Sequence, residues 1–457
     1  MVFSSFVFLL GFLPITLLIY YALPKHIKNA FILLASLIFY AWGEPVYIIV
    51  MIGSILINFF AGLLIDFLQK KEKRLGAKIV LICSIITNVG ILSFFKYAGI
   101  IIGVIGVSFY TFQCMSYVID VYEKRCESNK NIINFSAYVS MFPQLIAGPI
   151  VRYKDIEKEL KRREIKYSDI AKGIYIFCIG LAKKVILANQ VGIIFDEIKS
   201  MTNISVAGAW VGAISYTFQI FFDFSGYSDM AIGLGLMLGF HFPKNFDFPY
   251  ISKTITEFWR RWHISLSSWF KEYVYIPLGG NRMGLPRQII NIVIVWALTG
   301  IWHGAGVNFL LWGLYYAVLL IIEKLFLYKK INKCPVINHI YTMFFVIIGW
   351  VIFAFTDISQ LGFYLKSMFG FAGNSFVDSS VLFILRDNWF LFIVLILASI
   401  DFSFLHKGRF IYDENNLHEA KIDSVELYQI FVAFVLLLLS MAFLIGESYN
   451  PFLYFRF

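Results

Sequence analysis

Long apolar runs separated by short polar intervals recur from one end of the chain to the other. Phe3 to Tyr21, Val46 to Leu68, Ile79 to Phe95, Leu310 to Leu327, His339 to Phe355, Trp389 to Leu405 and Val425 to Ile445 are the clearest. Each approaches or exceeds the length of about 20 mostly apolar residues that a helix needs to cross a hydrocarbon core. With the shorter, more broken runs between them, the pattern predicts an all-α integral membrane protein with about ten to thirteen membrane-embedded helices. No polar interval is long enough to fold as a soluble domain, and there is no repeat period or flexible linker. A single polytopic membrane domain, 1–457, is expected, with the chemistry-bearing region at approximately 133–355.

Composition agrees with this pattern: of 457 residues, 59% are hydrophobic and only 15% charged. The formal net charge of +10 does not point to nucleic acid, because the basic residues fall in short clusters between apolar runs. Those clusters include KKEKR at Lys70 to Arg74, RYKDIEKELKRREIK at Arg152 to Lys166 and YKKINK at Tyr328 to Lys333. That arrangement follows the positive-inside rule. Placing the clusters, with Lys25 and Lys28, in the cytoplasm puts both termini outside. The first apolar run follows MVFSS without a basic start or a cleavage pattern and is read as a retained span. Five cysteines, spread over apolar runs and cytoplasmic loops, imply no disulfide framework.

Between about Ile133 and Gly306 the clean alternation breaks down. MFPQLIAGP, Met141 to Pro149, interrupts a helix with two prolines and a glycine, and such backbone survives at membrane depth only inside protein or beside water. Asp155 to Ile170 has helical spacing of Ile156, Leu160 and Ile165, which suits a helix lying along the cytoplasmic surface or a solvated connector. Lys183 and Lys184, within an apolar stretch, read as side chains snorkelling to an interface. Gly235 and Gly239 form G-x-x-x-G, which predicts close helix packing.

Three stretches concentrate polar groups among aromatics. FQIFFDFSGYSDMAIG, from Phe218, holds Asp223, Ser225, Ser228 and Asp229. TEFWRRWHISLSSWFKEYVYIPLGGNR, from Thr256, opens with Glu257, Arg260, Arg261 and His263. As one helix it places Trp259, Trp262, Leu266 and Trp269 or Phe270 near one face, as an interfacial helix would. ALTGIWHGAGVNFLLWG, from Ala297, carries His303.

From Arg287 to Trp302 is about sixteen residues, or roughly 24 Å of helix, short of a core near 30 Å. The chain then turns at Gly304 and Gly306, so the hairpin tip is expected inside the membrane, with His303 at the floor of a cavity. An imidazole withdrawn from water can stay neutral at physiological pH and accept a proton, as a general base must. A packed histidine satisfied by a backbone carbonyl is the alternative, against which the flanking glycines leave room for close approach. The spacing of His241, His263 and His303 does not suit a metal, and G-x-S-x-G and P-loop motifs are missing.

FDFSGYSDMAIG, NFDFPY, EFWRRWHISLSSWFKEYVYIPLGGNR and WHGAGVNFLLWG, in this order, resemble the membrane-bound O-acyltransferase (MBOAT) family. More narrowly they resemble the bacterial branch typified by the membrane subunit of alginate O-acetylation. The resemblance implies a ring of helices around a thin central region, with re-entrant and interfacial helices. It assigns catalysis to His303 and a supporting role to His263, with Asp223, Ser225, Trp302, Asn308, Arg260 and Arg261 as candidate lining.

It also implies O-acetylation of an extracytoplasmic polysaccharide at a bacterial cytoplasmic membrane, with acetyl-CoA as donor substrate, no permanently bound cofactor or metal, and an SGNH-type transferase as partner. The terminal NPFLYFRF resembles the tyrosine motif of small partner proteins in D-alanylation, which makes Tyr454 a candidate acyl acceptor, with an aromatic membrane anchor as the alternative. D-alanyl or other acyl transfer, and transport, are the competing functions; buried Asp, Lys and His also mark transport pathways.

Overall fold

The computed structural model describes residues 1–97, 106–327, 334–401, 424–446 and 452–453. Every regular element among them is helical. Among the described residues seven helices are long and apolar enough to cross a membrane: Ile48–Lys70, Arg74–Tyr97, Leu285–His303, Val307–Leu327, Pro335–Ala354, Ser379–Ala398 and Leu427–Ile445. Val7–Ala22 and Lys28–Gly43 are shorter apolar helices. Which faces these helices bury is inverted relative to a water-soluble protein. Arg74–Tyr97 buries Ala77, Ser84 and Asn88, while Ile79, Ile82, Ile86, Val89 and Phe94 are exposed. Lipid solvates the isoleucines as well as a core would, so small and polar residues are free to make the helix contacts.

The chain divides into two compact units, one of Met1–Ala182, Gly226–Lys244 and Val432–Phe457, the other of Lys183–Ser225 and Asn245–Phe431. In the first, the Asn58 and Asn88 side chains donate to one another's amide oxygens at 3.1 and 2.8 Å, and Ser84 Oγ donates to Asn58 at 3.0 Å. The proline-rich stretch is buried throughout residues 141–151. Side chains there replace the lost backbone pairing: Phe142 N–H donates to Ser36 Oγ at 3.0 Å and Tyr138 Oη to the Val151 carbonyl at 3.0 Å.

Two expectations for this unit need correction. The surface helix ends at Lys161 and a new one begins at Tyr167, with an exposed to half-buried connection between them. There Arg163 Nε donates to Tyr20 Oη and the Leu238 carbonyl, at 2.9 and 3.1 Å. The Gly235–Gly239 pair is not a helix seam either, since the helix Val206–Met237 stops before Gly239, whose φ is +80°. The close packing lies elsewhere: a Cβ on Gly180 would sit 2.5 Å from the Gly226 carbonyl oxygen, and one on Gly233 2.5 Å from that of Gly173. Both helices thus present glycines seven residues apart, which is two turns along one face.

In the second unit, the antiparallel hairpin of Leu285–His303 and Val307–Ile322 is equally tight. A Cβ on Gly300 would lie 2.4 Å from the Phe309 carbonyl oxygen and one on Gly313 2.3 Å from that of Trp296. The first arm has 19 residues, about 28 Å. That is longer than the arm expected from sequence; Trp302, His303 and Gly304 are buried while Ala305 and Val307 at the turn are exposed, so it is packing around the histidine and not a short arm that shields it.

Two carboxylates organise the rest. Glu323, buried just beyond the hairpin, accepts from the backbone N–H groups of Ile255 and Thr256 at 2.5 and 2.9 Å and from Thr256 Oγ1 at 2.7 Å. It supplies the acceptors that the first turn of Ile255–Arg261 lacks, at the end of the helix where negative charge is favoured. Lys184, in the π-helical turn Lys183–Ala188, is buried and forms an ion pair with Asp223. For Lys184 this replaces the snorkelling expected from sequence, because its partner lies inside the protein and not at an interface.

Gly233→Ala is expected to lower the thermal midpoint of the detergent-solubilised protein well beyond experimental error, since backbone must move. Gly90→Ala, where no atom lies within 4 Å, is expected to leave it unchanged or raise it slightly. Glu323→Ala leaves the buried Ile255 N–H and the partly buried Thr256 N–H without their acceptor and is expected to cost about 1–3 kcal/mol by the same measurement.

Candidate functional site

His263 sits between two seven-residue helices, Ile255–Arg261 and Ile264–Phe270, with φ +44° and ψ +55°. The single long helix expected over this stretch is therefore broken at the histidine. The break has a cause in the segment Asn245 to Asp247. The Asn245 carbonyl accepts from Ile264 N–H at 2.9 Å, and Asp247 N–H donates to the Arg261 carbonyl at 2.9 Å. Two of the quoted motifs, NFDFPY and RRWHIS, thus meet through their backbones. Left-handed backbone is uncommon outside glycine, though histidine tolerates it better than most residues.

The Asn245 side chain also fixes the state of the ring. Its Oδ1 accepts from Ser265 N–H at 3.3 Å and Ser265 Oγ at 2.8 Å, and a backbone N–H can only donate, so this atom is the oxygen. His263 Nδ1, 3.0 Å away, must then carry the proton. Nε2 is left with its lone pair, buried and without a hydrogen-bond partner among the described residues. His263 lies outside the membrane-crossing helices, and burial pushes its pKa down to about 3. It is a neutral acceptor at any physiological pH.

His303 ends the helix Leu285–His303 and is 8% exposed. Its ring packs edge to face against Trp302, Trp312 and Phe353, with centroids 4.8, 5.0 and 5.2 Å away. Trp302 lies 6.3 Å from the His263 ring as well, so it touches both histidines' surroundings. The room expected around Gly304 is filled by protein, since a Cβ there would meet the Phe309 ring at 2.3 Å.

His263 and His303 both line one cavity of about 330 Å³, walled largely by Trp259, Trp262, Phe270 and Trp296. Arg260 and Lys271 bring positive charge to it, and Ser267 and Thr299 bring hydroxyls. An apolar wall with a few convergent polar groups is the usual make-up of a ligand site. It suits a neutral, hydrogen-bonding reactant and a reaction in which charge develops away from water.

Of the residues expected to line the site, only Arg260 joins the two histidines on this cavity; Trp302, Arg261, Asn308, Asp223 and Ser225 do not line it. Arg261 faces Glu257 at 3.0 Å and Asp247 at 3.3 Å, bracing the corner. Asn308 donates to the carbonyls of Ile352 and Phe353 at 3.3 and 3.2 Å, satisfying the end of the helix Pro335–Ala354. Asp223, held by Lys184, and the buried Ser225 do not border the cavity. Tyr454 lies outside the described residues. Sequence reasoning passed over Asn245, although it stands first in a quoted motif, and over Glu323, whose only signal was an acid closing a long apolar run.

Residues 123–358 match the model of "MBOAT, membrane-bound O-acyltransferase family". The chain is 41% identical over 396 residues to a Pseudomonas syringae pv. tomato protein named probable alginate O-acetylase AlgI, covering 81% of this chain and 76% of that one. It is 32% identical over 525 aligned residues to the peptidoglycan O-acetyltransferase of Helicobacter pylori, covering 100% and 98%. Against the teichoic acid D-alanyltransferase of Bacillus subtilis it is 29% identical over 277 residues, covering 56% and 69%. The chain belongs to the membrane-bound O-acyltransferase family and is a multi-pass membrane O-acyltransferase.

Proposed function

We propose that the protein passes an acetyl group from cytoplasmic acetyl-CoA to hydroxyl groups destined for an extracytoplasmic polysaccharide, with an SGNH-type partner completing the transfer. In this reading it lies in the bacterial cytoplasmic membrane with both termini outside. The observation that carries the proposal is the presence of both motif histidines on the wall of one largely aromatic cavity. The choice of acetyl is supported by the relatives named for O-acetylation, which match 81% and 100% of the chain, against 56% for the D-alanyltransferase. D-alanyl transfer is the second reading, and mass analysis of the acid released from the envelope by mild base separates the two.

His303 acts as the general base. Its imidazole takes the proton of the acceptor hydroxyl while the hydroxyl oxygen bonds to the acetyl carbonyl carbon. The C–S bond then breaks, and the imidazolium returns its proton to the departing thiolate. His263, with Nε2 available to accept, orients the acceptor hydroxyl or a donor N–H group. Arg260 places positive charge near the developing oxyanion. Trp302 fixes the ring of His303, while Arg261, Asn308 and the Lys184–Asp223 pair, with Ser225 beside it, hold the surrounding helices. Tyr454 is the proposed first acceptor, its phenol carrying the acetyl group as an ester until the partner receives it.

His303→Ala is expected to lower base-labile acetate on the cell envelope roughly 100-fold or more, at unchanged protein level in the membrane; undiminished acetate removes His303 from the mechanism. His263→Gln is expected to reduce the rate yet leave the position of any inflection between roughly pH 5 and 8 unmoved, because His263 does not titrate there. Tyr454→Phe is expected to abolish labelled acetyl on the C-terminal peptide, and full activity of that variant sinks the carrier role.

A further inference from the structure

Within the first unit a second cavity, of about 710 Å³, lies between Lys25–Asn29 and Leu160–Lys166. Six cationic side chains line it against one carboxylate, that of Glu164. Lys161 is neutralised by Glu157 at 2.7 Å and Glu127 at 3.6 Å. The other five, Lys25, Lys28, Arg162, Arg163 and Lys166, make no ion pair with any described residue.

Two of these cations are held by aromatic faces instead. Lys28 Nζ lies 4.4 Å from the centroid of Tyr20, and Arg163 Cζ 4.4 Å from that of Phe240. A ring face attracts a cation without cancelling its charge, so the pocket stays positive. Arg163 is fixed further by its hydrogen bonds to Tyr20 and Leu238 and by Nη1, which donates to Asn29 Oδ1 at 2.6 Å. Its Nη2 is buried and has no hydrogen-bond partner among the described residues. A guanidinium held in place in this way keeps its full charge at the pocket wall, and phosphate is the anion that guanidinium groups match best.

We propose that this pocket binds the phosphate end of a larger anion, with Arg163 and Lys28 as fixed contacts and Lys25, Arg162 and Lys166 closing on it from the surface. The volume exceeds what one phosphate fills and falls within the range of about 300–1,000 Å³ usual for ligand pockets. The phosphate chemistry is shared by two sources, a nucleotide-bearing thioester donor and the headgroup of an anionic phospholipid. Of these, the first alone would link the pocket to the reaction proposed above. The pocket itself is read from one unit and does not require that reaction.

The test uses the purified full-length protein in neutral detergent, titrated with coenzyme A and, separately, with phosphatidylglycerol in mixed micelles against phosphatidylcholine. Saturable binding of at least one phosphate probe is expected, weakening with added salt. The exposed double reversal Lys25→Glu with Lys166→Glu is expected to reduce that affinity at least tenfold, and Lys25→Gln with Lys166→Gln to reduce it less, with helical content unchanged by circular dichroism. Binding of coenzyme A identifies the nucleotide source, and binding of phosphatidylglycerol but not phosphatidylcholine identifies the lipid source. No saturable binding of either probe, or equal affinity of wild type and reversal, overturns the proposal. Because binding is read without turnover, this result and the acetyl-transfer result can fail independently.

Discussion

At membrane depth there is no water to satisfy a polar group, so each one must find its partner within the chain or become an exposed cost of several kcal/mol. The features that shape the second unit can be traced to that constraint. Helices too short to pair their own ends, such as Ile255–Arg261, need acceptors from elsewhere, and Glu323 supplies them. The carbonyls ending Pro335–Ala354 need donors, and Asn308 supplies them. Lys184 needs an anion, and Asp223 supplies it from a different helix. Each of these contacts is long range in sequence, so solving the polar accounting also fixes which helices lie together.

The same constraint prepares chemistry. Asn245 settles the proton of His263 on Nδ1 by accepting there, which leaves a lone pair at Nε2 in a wall of aromatic rings. A lone pair so placed is costly in a resting protein and useful to a reactant that can donate to it. His303, at the end of a helix that its partner arm approaches to glycine distance, is held by tryptophan and phenylalanine edges. The aromatic rings that wall the cavity keep both imidazoles in fixed positions, with Arg260 and Lys271 as the charged groups beside them.

Much of this was legible in the sequence wherever a residue stood out from its surroundings. The apolar runs located most of the membrane-crossing helices, although the run from Trp389 starts ten residues inside Ser379–Ala398 and Leu285–His303 was read only as a short arm; the prolines at Pro143 and Pro149 marked the buried interruption, and His303 was conspicuous in its run. What escaped depended on partners far along the chain. The tryptophans from Trp259 to Trp269 keep helical spacing straight through His263, and the corner there exists because Asn245, eighteen residues earlier, draws the backbone out of helix. The Gly173 and Gly180 contacts with Gly233 and Gly226 were hidden for the same reason, since neither helix alone shows what it faces. Lys184 looked like an interfacial side chain because its carboxylate lies in another run.

The most direct measurement is acyl transfer by the purified protein reconstituted in vesicles, with acetyl-labelled acetyl-CoA supplied on one face only. The account predicts that free thiol is released in step with labelled ester on a hydroxyl acceptor. It also predicts that both signals vanish together when the His263–His303 cavity is filled by Thr299→Trp. Label that crosses the membrane as unchanged acetate, without ester and without thiol release, would contradict it.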